Sequence, residues 1–422
     1  MASPAPLQAD SQERPSTVLG GLEPSERCER ALLDLPAAER WFRLLRFGRE
    51  EDLYTGQQPL EGRTGPRIRI RGRPYLSLSS YDYLGLIGHP EVEEAAIAAI
   101  RRYGPGSGGV RLLTGTNELH CALERELAQF MGSEAALVLG SGYAANLAVV
   151  PALVGPRDVI IADALAHRSL LDAARLSRAR LRRCRHNDPA ALDRALAEEA
   201  ATPRRLVIVD GVYSMEGDIA PLPDILAVCR RHRAFLLVDE AHALGTIGPT
   251  GRGTAAHFGI DPGEVDVWTG SLSKALGAQG GYVAGSARLI TYLQHEGAPY
   301  VFSGALCPAS TAAALEGLSV IRREPLRLER MRLRAAQLRS GLRRSGHALS
   351  EWPTPIVPLL VGHEMEAYRL ARRLFAAGVL ATAVTHPAVP AGRARLRLCA
   401  TAAHSARDIS EGVAAIATWS RP

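Results

Sequence analysis

Lysine is nearly absent from this chain. Of its 50 Lys and Arg residues, 49 are arginine and one, Lys274, is lysine. A composition that fills almost every cationic position with arginine leaves lysine where arginine cannot substitute. A guanidinium stays protonated and forms no Schiff base, whereas a desolvated ammonium can lose its proton and attack an aldehyde. Cysteine is also sparse: Cys28, Cys121, Cys184, Cys229, Cys307 and Cys399 are widely spread, with no CxxC pair and no histidine at metal-ligand spacing. That fits reduced thiols in a cytoplasmic enzyme rather than a disulfide or zinc framework, and no metal site is expected. No apolar run is long enough for a transmembrane segment, and no basic-then-apolar leader opens the chain. A net charge of +6 over 422 residues is mild, and the arginines are scattered among acids. A nucleic-acid groove is therefore not expected, and phosphate-bearing substrates or acidic carrier proteins suit the charge better.

What surrounds Lys274 is informative. An apolar strand, Val265 to Trp268, runs into the small residues Thr269-Gly270-Ser271-Leu272-Ser273 and then the lysine. Upstream, Phe235-Leu236-Leu237-Val238 reads as a buried strand that ends in Asp239, with Glu240 and His242 just beyond. A carboxylate at the end of a buried strand is costly unless it is paired. A protonated pyridine nitrogen would pair it. A Schiff-base lysine, an acid under a ring nitrogen and donors around a phosphate are together what pyridoxal 5'-phosphate (PLP) requires.

Along the chain, residues 1 to about 27 are rich in Pro, Ser, Gln and Glu and read as a loosely attached tail. Ala31–Arg49 has helical spacing, and residues 67–76 alternate like a hairpin around Gly72. From about residue 90 to 310, the strand candidates Ala135–Leu139, Val159–Ala162, Leu206–Val209, Phe235–Val238, Val265–Trp268 and Tyr282–Ala284 alternate with helical patterns such as Glu91–Arg102 and Leu222–His232. This predicts an α/β fold with a largely parallel sheet covered by helices. Beyond about residue 311 a long Arg-rich helix (Ser319–Arg344), strands Ile356–Val361 and Arg395–Cys399 and further helices predict a smaller α+β domain. The expected division is a tail, helix and hairpin (1–75), a large domain (76–310) and a small C-terminal domain (311–422).

The order and spacing of several motifs carry a resemblance. They are Tyr83-Leu84-Gly85, Gly106-Ser107-Gly108-Gly109, Ser141 to Asn146, Asp163 to His167, Gly211 to Asp218, Asp239-Glu240-Ala241-His242, Ser271 to Lys274 and Thr401 to His404. Together they resemble the α-oxoamine synthases, fold-type I PLP enzymes that condense an amino acid with an acyl thioester and release carbon dioxide. The resemblance implies a seven-stranded, mostly parallel sheet in the large domain, and a homodimer. It implies that Lys274 holds PLP and moves the substrate α-proton. Asp239 would keep the ring nitrogen protonated, His242 would bond the phenolic oxygen, and His167 would stack on the ring. Gly142 and Tyr143 would offer amides to the phosphate, with hydroxyls from Ser214 to the ring and Ser271 to the phosphate. Ser303 would serve the other subunit's phosphate, and Arg397 would grip the amino-acid carboxylate.

Substrate choice turns on departures from the family pattern. Tyr81 stands where the family often has asparagine, close to the expected amino-acid position. This and the Gly248-Pro249-Thr250-Gly251-Arg252-Gly253 run are similar to the serine palmitoyltransferase branch, while Gly115-Thr116-Asn117 to His120 is similar to 5-aminolevulinate synthase. The expectation favours a serine palmitoyltransferase-like or natural-product aminoketone synthase, using a small amino acid and a thioester of coenzyme A or acyl carrier protein. The alternative is an 8-amino-7-oxononanoate synthase. An aminotransferase fits the motifs away from the lysine poorly. The presence of Lys274, Asp239 and His242 argues against a non-catalytic partner subunit.

Overall fold

The computed structural model describes residues 32–420, so the expected N-terminal tail and Cys28 lie outside the described residues. The chain divides at Tyr54/Thr55. Before that division lies the helix Pro36–Glu50, with proline in its first turn where no amide hydrogen bond is lost. It is displaced from the expected 31–49 toward that proline.

In the second unit, β1 (Arg67–Ile70) and β2 (Arg73–Ser77) form the expected hairpin. Arg71 and Gly72 both take positive φ at its turn. A seven-stranded sheet follows, built from β3 (Ala135–Leu139), β4 (Val159–Asp163), β5 (Arg180–Cys184), β6 (Arg205–Asp210), β7 (Phe235–Asp239), β8 (Val267–Ser271) and β9 (Gly281–Gly285). Their order is β3-β9-β8-β7-β6-β4-β5, and β9 alone runs antiparallel to its neighbours. Side-chain alternation feeds two cores. Val159, Ile161, Val207, Val209, Leu236 and Val238 enter one cluster, while Ile160, Ala162, Leu206, Ile208 and Leu237 enter the other. Burial on both faces explains why these strands read as unbroken apolar runs.

Two differences from the sequence expectation have plain causes. Strand β5, Arg-Leu-Arg-Arg-Cys, is an edge strand whose Arg180 and Arg182 pair with Glu199, so it lacks the apolar run that marks its neighbours. The single helix expected over Ser319–Arg344 is two, Pro308–Arg323 and Leu326–Arg344. Pro325 breaks it, because proline disfavours helical geometry in the residue before it. The C-terminal strands β10 (Ile356–Gly362), β11 (Val379–Leu380), β12 (Thr382–Val384) and β13 (Ala394–Cys399) complete the fold. β10, β13 and β12 form an antiparallel sheet, while β11 adds in parallel to β2 and joins the hairpin to the C-terminal region.

Parallel strands end together, and four of these end in polar residues. Asp163, Asp210, Asp239 and Ser271 are the last residues of β4, β6, β7 and β8. In an open α/β sheet that edge is where ligands bind.

Candidate active site

At this edge lies a cleft of about 220 Å³ lined by Gly142, Tyr143, His167, Ser214, Asp239, His242, Ser271 and Lys274, among others. Eight of the residues expected from sequence are thus brought to one place. Three are not among its lining. Arg397 and Tyr81 lie behind it through hydrogen-bonded and stacked neighbours. Ser303 is exposed and does not line its own chain's cleft.

Lys274 follows β8 by three residues. Burial lowers its ammonium below the ordinary lysine value, Asp239 pulls it back up, and the Arg397 charge lowers it again. Asp239 is held by two hydrogen bonds. Asn146 Nδ2 donates to one oxygen at 2.7 Å, and the Ala241 amide donates to the other at 2.9 Å. The carboxylate is 5% exposed, with no ion-pair partner among the described residues. A buried carboxylate in that condition favours a cationic ligand atom.

Asn146 anchors a network for which sequence reasoning assigned no role. Its second N–H donates to Ser169 Oγ at 2.8 Å, and its carbonyl accepts from Thr269 Oγ1 at 2.7 Å. Ser169 Oγ lies 2.7 Å from His167 Nδ1, and the His167 amide donates to Asp210 at 2.9 Å. The Ser169 amide also donates to Nδ1 at 3.3 Å, so Nδ1 accepts and Nε2 carries the proton of an imidazole that burial pushes toward its neutral form. Asn146 sits four residues after Gly142, one helical turn along the same face. That spacing was the available signal.

The phosphate end is equally defined. The helix Gly142–Leu153 is capped by Ser141, whose hydroxyl accepts from the Ala144 amide. The amides of Gly142 and Tyr143 have no acceptor among the described residues. A Cβ at position 142 would stand 3.0 Å from the Gly270 carbonyl oxygen and 3.1 Å from the Ser271 Cβ, so glycine eases the close approach of the two segments. Ser271 and Ser273 add hydroxyls 2.7 Å apart. Orphan amides at a helix N-terminus beside two hydroxyls suit a phosphate, and the whole cleft fits PLP. The Tyr143 ring turns outward, its hydroxyl donating to Asp172 at 2.5 Å.

Behind the cleft, Arg397 is 3% exposed and has no carboxylate partner among the described residues. Its Nε donates to the Ser214 carbonyl, Nη1 contacts Cys399 Sγ at 3.0 Å, and Nη2 donates to Tyr83 Oη at 3.2 Å. One N–H remains on each terminal nitrogen, which is the fork a carboxylate takes. Tyr83 Oη in turn meets His242 Nδ1 at 2.8 Å. Burial, Lys274 and Arg397 hold His242 well below its ordinary value, so its ring is neutral. The Tyr81 ring lies 4.5 Å from the Arg397 guanidinium carbon and is 46% exposed. It shields the cation rather than lining the cleft.

Residues 73–416 match the aminotransferase class I and II family. An 8-amino-7-oxononanoate synthase of Symbiobacterium thermophilum is 43% identical, covering 88% of this chain and 95% of that protein. The Methylococcus capsulatus enzyme of the same name is 46% identical over 87% and 94%. Among solved structures, a serine palmitoyltransferase from S. paucimobilis with PLP and myriocin superposes with a TM-score of 0.87 at 31% identity, covering 90% of this chain and 96% of that one. The family match over residues 73–416 and these relatives, with a lysine-bearing cleft shaped for PLP, make the chain a member of the aminotransferase class I and II family and, within it, a PLP-dependent α-oxoamine synthase.

Proposed function

We propose that this enzyme joins alanine to a pimeloyl thioester, with loss of carbon dioxide and of the thiol, to give 8-amino-7-oxononanoate. The observation that carries the reading is the 43% and 46% identity to synthases of that name over nearly the whole of both chains, against 31% for the serine palmitoyltransferase. The product's carbon count names the substrates. With the oxo group on carbon 7 and the amino group on carbon 8, the acyl group supplies seven carbons. The amino acid supplies two after decarboxylation, which is alanine.

This replaces the preference for a serine palmitoyltransferase-like substrate, and the structure gives physical reasons why its two signals carried little. Tyr81 packs on Arg397, a residue any amino-acid substrate would need. The Gly248–Gly253 run folds around Glu240. A Cβ at Gly253 would overlap Glu240 Oε2, and Gly248, Gly251 and Gly253 all have positive φ. Its glycines answer to backbone geometry rather than to an acyl chain.

Bound PLP supplies an aldehyde for Schiff-base formation and a pyridinium ring that accepts an electron pair. The chain's residues do the rest. Asp239, oriented by Asn146 and Ala241, holds the proton on the ring nitrogen. Gly142, Tyr143, Ser271 and Ser273 hold the phosphate. His167, fixed by Ser169, covers the ring face, while His242 and Ser214 stand beside the ring. Arg397 grips the alanine carboxylate in a fork kept open by Tyr83, Cys399 and the Ser214 carbonyl. Lys274, its ammonium weakened by burial, takes the α-proton. We place Ser303 in the other subunit's site of a homodimer. Leu112, Leu113 and Phe302 are exposed apolar side chains flanking the Val110–Gly304 bridge, which supports a partner surface there.

The test is thiol release from pimeloyl, palmitoyl and succinyl thioesters against alanine, serine and glycine. Preference for pimeloyl with alanine is expected. Preference for palmitoyl with serine would overturn the proposal.

A further inference from the structure

Two loops carry His167 and Ser214 to the cleft, and both are fastened outside it by the same two residues. The first loop leaves β4 at Asp163, whose Oδ1 accepts the Leu165 amide at 2.8 Å and whose carbonyl accepts the Ala166 amide at 3.1 Å. His167 follows. The second loop, Tyr213 to Asp218, is closed by the Tyr213 amide donating to the Asp218 carbonyl at 3.0 Å, with Ser214 inside the turn. His186, two residues beyond β5, stands between them. Its Nδ1 lies 2.9 Å from Asp163 Oδ1, and its Nε2 lies 2.8 Å from Asp218 Oδ2. A carboxylate oxygen at each nitrogen makes both nitrogens donors, so the ring is an imidazolium. Burial opposes that charge, but the two acids hold it up to about 10. The ring also meets Tyr213 edge-on, at 4.4 Å between centroids. Asn187 repeats the bridge. Its amide donates to Asp163 Oδ2 at 2.8 Å and its Nδ2 to Asp218 Oδ2 at 3.2 Å. It does so at φ 47°, in the left-handed region that asparagine tolerates better than most residues.

Asp163, His186, Asn187 and Asp218 do not line the cleft. What they fix is the gap between two of its walls. His167 covers the ring face, while Ser214 stands beside the ring and its carbonyl holds Arg397 Nε. The His167 amide is separately held by Asp210, and the Met215 carbonyl by Arg395 at 2.9 Å. We propose that His186 is a positioning residue for the reaction: by bridging Asp163 and Asp218 it sets the distance between His167 and Ser214 across the cleft. The assignment rests on the reading of the cleft as a PLP site, and not on which amino acid or thioester the enzyme takes.

The experiment compares His186→Gln, Asp218→Asn and the double variant as full-length protein, with the amino acid and thioester that the wild type prefers. Glutamine keeps a donor for one acid but cannot span two from opposite ends of a ring. In PLP-loaded His186→Gln, kcat should fall about 10- to 100-fold, the effect of displacing a catalytic wall by ~1 Å. Asp218→Asn frees the Ser214 side alone, so KM for the amino acid should rise about five- to tenfold while KM for the thioester holds. The double variant should be no worse than His186→Gln, since both substitutions cut one bridge. Hydrogen exchange of the PLP-free protein gives a readout independent of activity. In His186→Gln, residues 163–167 and 211–218 should both exchange faster, while β6 and β7 keep wild-type protection. Effects that add in the double variant would show separate roles and overturn the proposal. So would a lowered Tm with kinetic constants per loaded site unchanged, or faster exchange confined to one loop. If His186→Gln fails to fold, Asp218→Asn, isosteric and one charge lighter, decides alone: an unchanged KM for the amino acid overturns the assignment. A wild type that prefers palmitoyl with serine would sink the alanine and pimeloyl proposal alone, since the comparison is then made with that pair.

Discussion

Lys274→Ala is expected to abolish turnover and to remove the visible absorbance of the PLP-loaded protein. With no other lysine in the chain, no side chain is left to form the Schiff base. Circular dichroism should show the fold retained, because Lys274 is only partly buried and its ammonium bonds no described side chain. Surviving turnover would sink the assignment. Asp239→Asn should fold as well, since the isosteric amide keeps one oxygen for one of the two donors, Asn146 or Ala241, and loses only the other bond. It replaces a charge-assisted hydrogen bond worth roughly 1.5–3 kcal/mol. Turnover should fall by about 10- to 100-fold, and wild-type kcat would refute its role. Tyr83→Phe separates another pair of roles. It removes the hydroxyl that spaces Arg397 from His242, so KM for the amino acid should rise while KM for the thioester stays unchanged.

At the scale of elements, much of the site was legible because chemistry and strand ends coincide. Asp239, Ser271 and Lys274 follow apolar runs that any reading marks as strands, and the ends of parallel strands meet by topology. Less legible were residues that act through others. Asn146 looks like a polar interruption in a small-residue helix until Asp239 is seen beside it, and Asp210 looks like a second strand-end acid until the His167 amide finds it. The break at Pro325 was readable, but the helical spacing on both sides masked it. Strand β5 was hidden because its arginines serve salt bridges, not a core.

The Gly248–Gly253 loop leads to a measurable consequence. Glu240 is fully buried, and burial pushes its carboxyl up to about 7 against the hydrogen bonds from Thr254. A carboxyl whose folded value is raised adds stability below about 4.5 and loses it as pH rises through about 7. The unfolding free energy of the wild type should therefore fall over that window relative to Glu240→Gln, by on the order of 2–3 kcal/mol. Parallel pH profiles in denaturant titrations would show the Glu240 proton to be unimportant. His186 has the same sign in a different window. Burial opposes its charge, but hydrogen bonds to Asp163 at 2.9 Å and Asp218 at 2.8 Å hold it up to about 10. Its stabilisation should be complete below about 6.5 and drain away toward pH 10, a trend that His186→Gln removes.

For the molecule as a whole, the antiparallel β9 and the sheet edge position one cleft, and assembly is the open variable. Light scattering is expected to give a dimer, with Ser303→Ala weakening PLP retention and Phe302→Asp shifting the enzyme toward an inactive monomer. A fully active monomer would contradict the shared site. Among the described residues no helix is long and apolar enough to cross a membrane.

The solitary lysine also gives the protein an analytical property. An amine-directed acylating reagent or a reductive alkylation meets one side-chain amine in the entire chain, and that amine lies inside the cleft. The extent of side-chain labelling is then a direct count of vacant catalytic centres, with no background from a lysine-covered surface. Titrating PLP against such labelling, read at the peptide that carries Lys274, would give cofactor occupancy, and immobilisation through lysine would select for inactivated molecules.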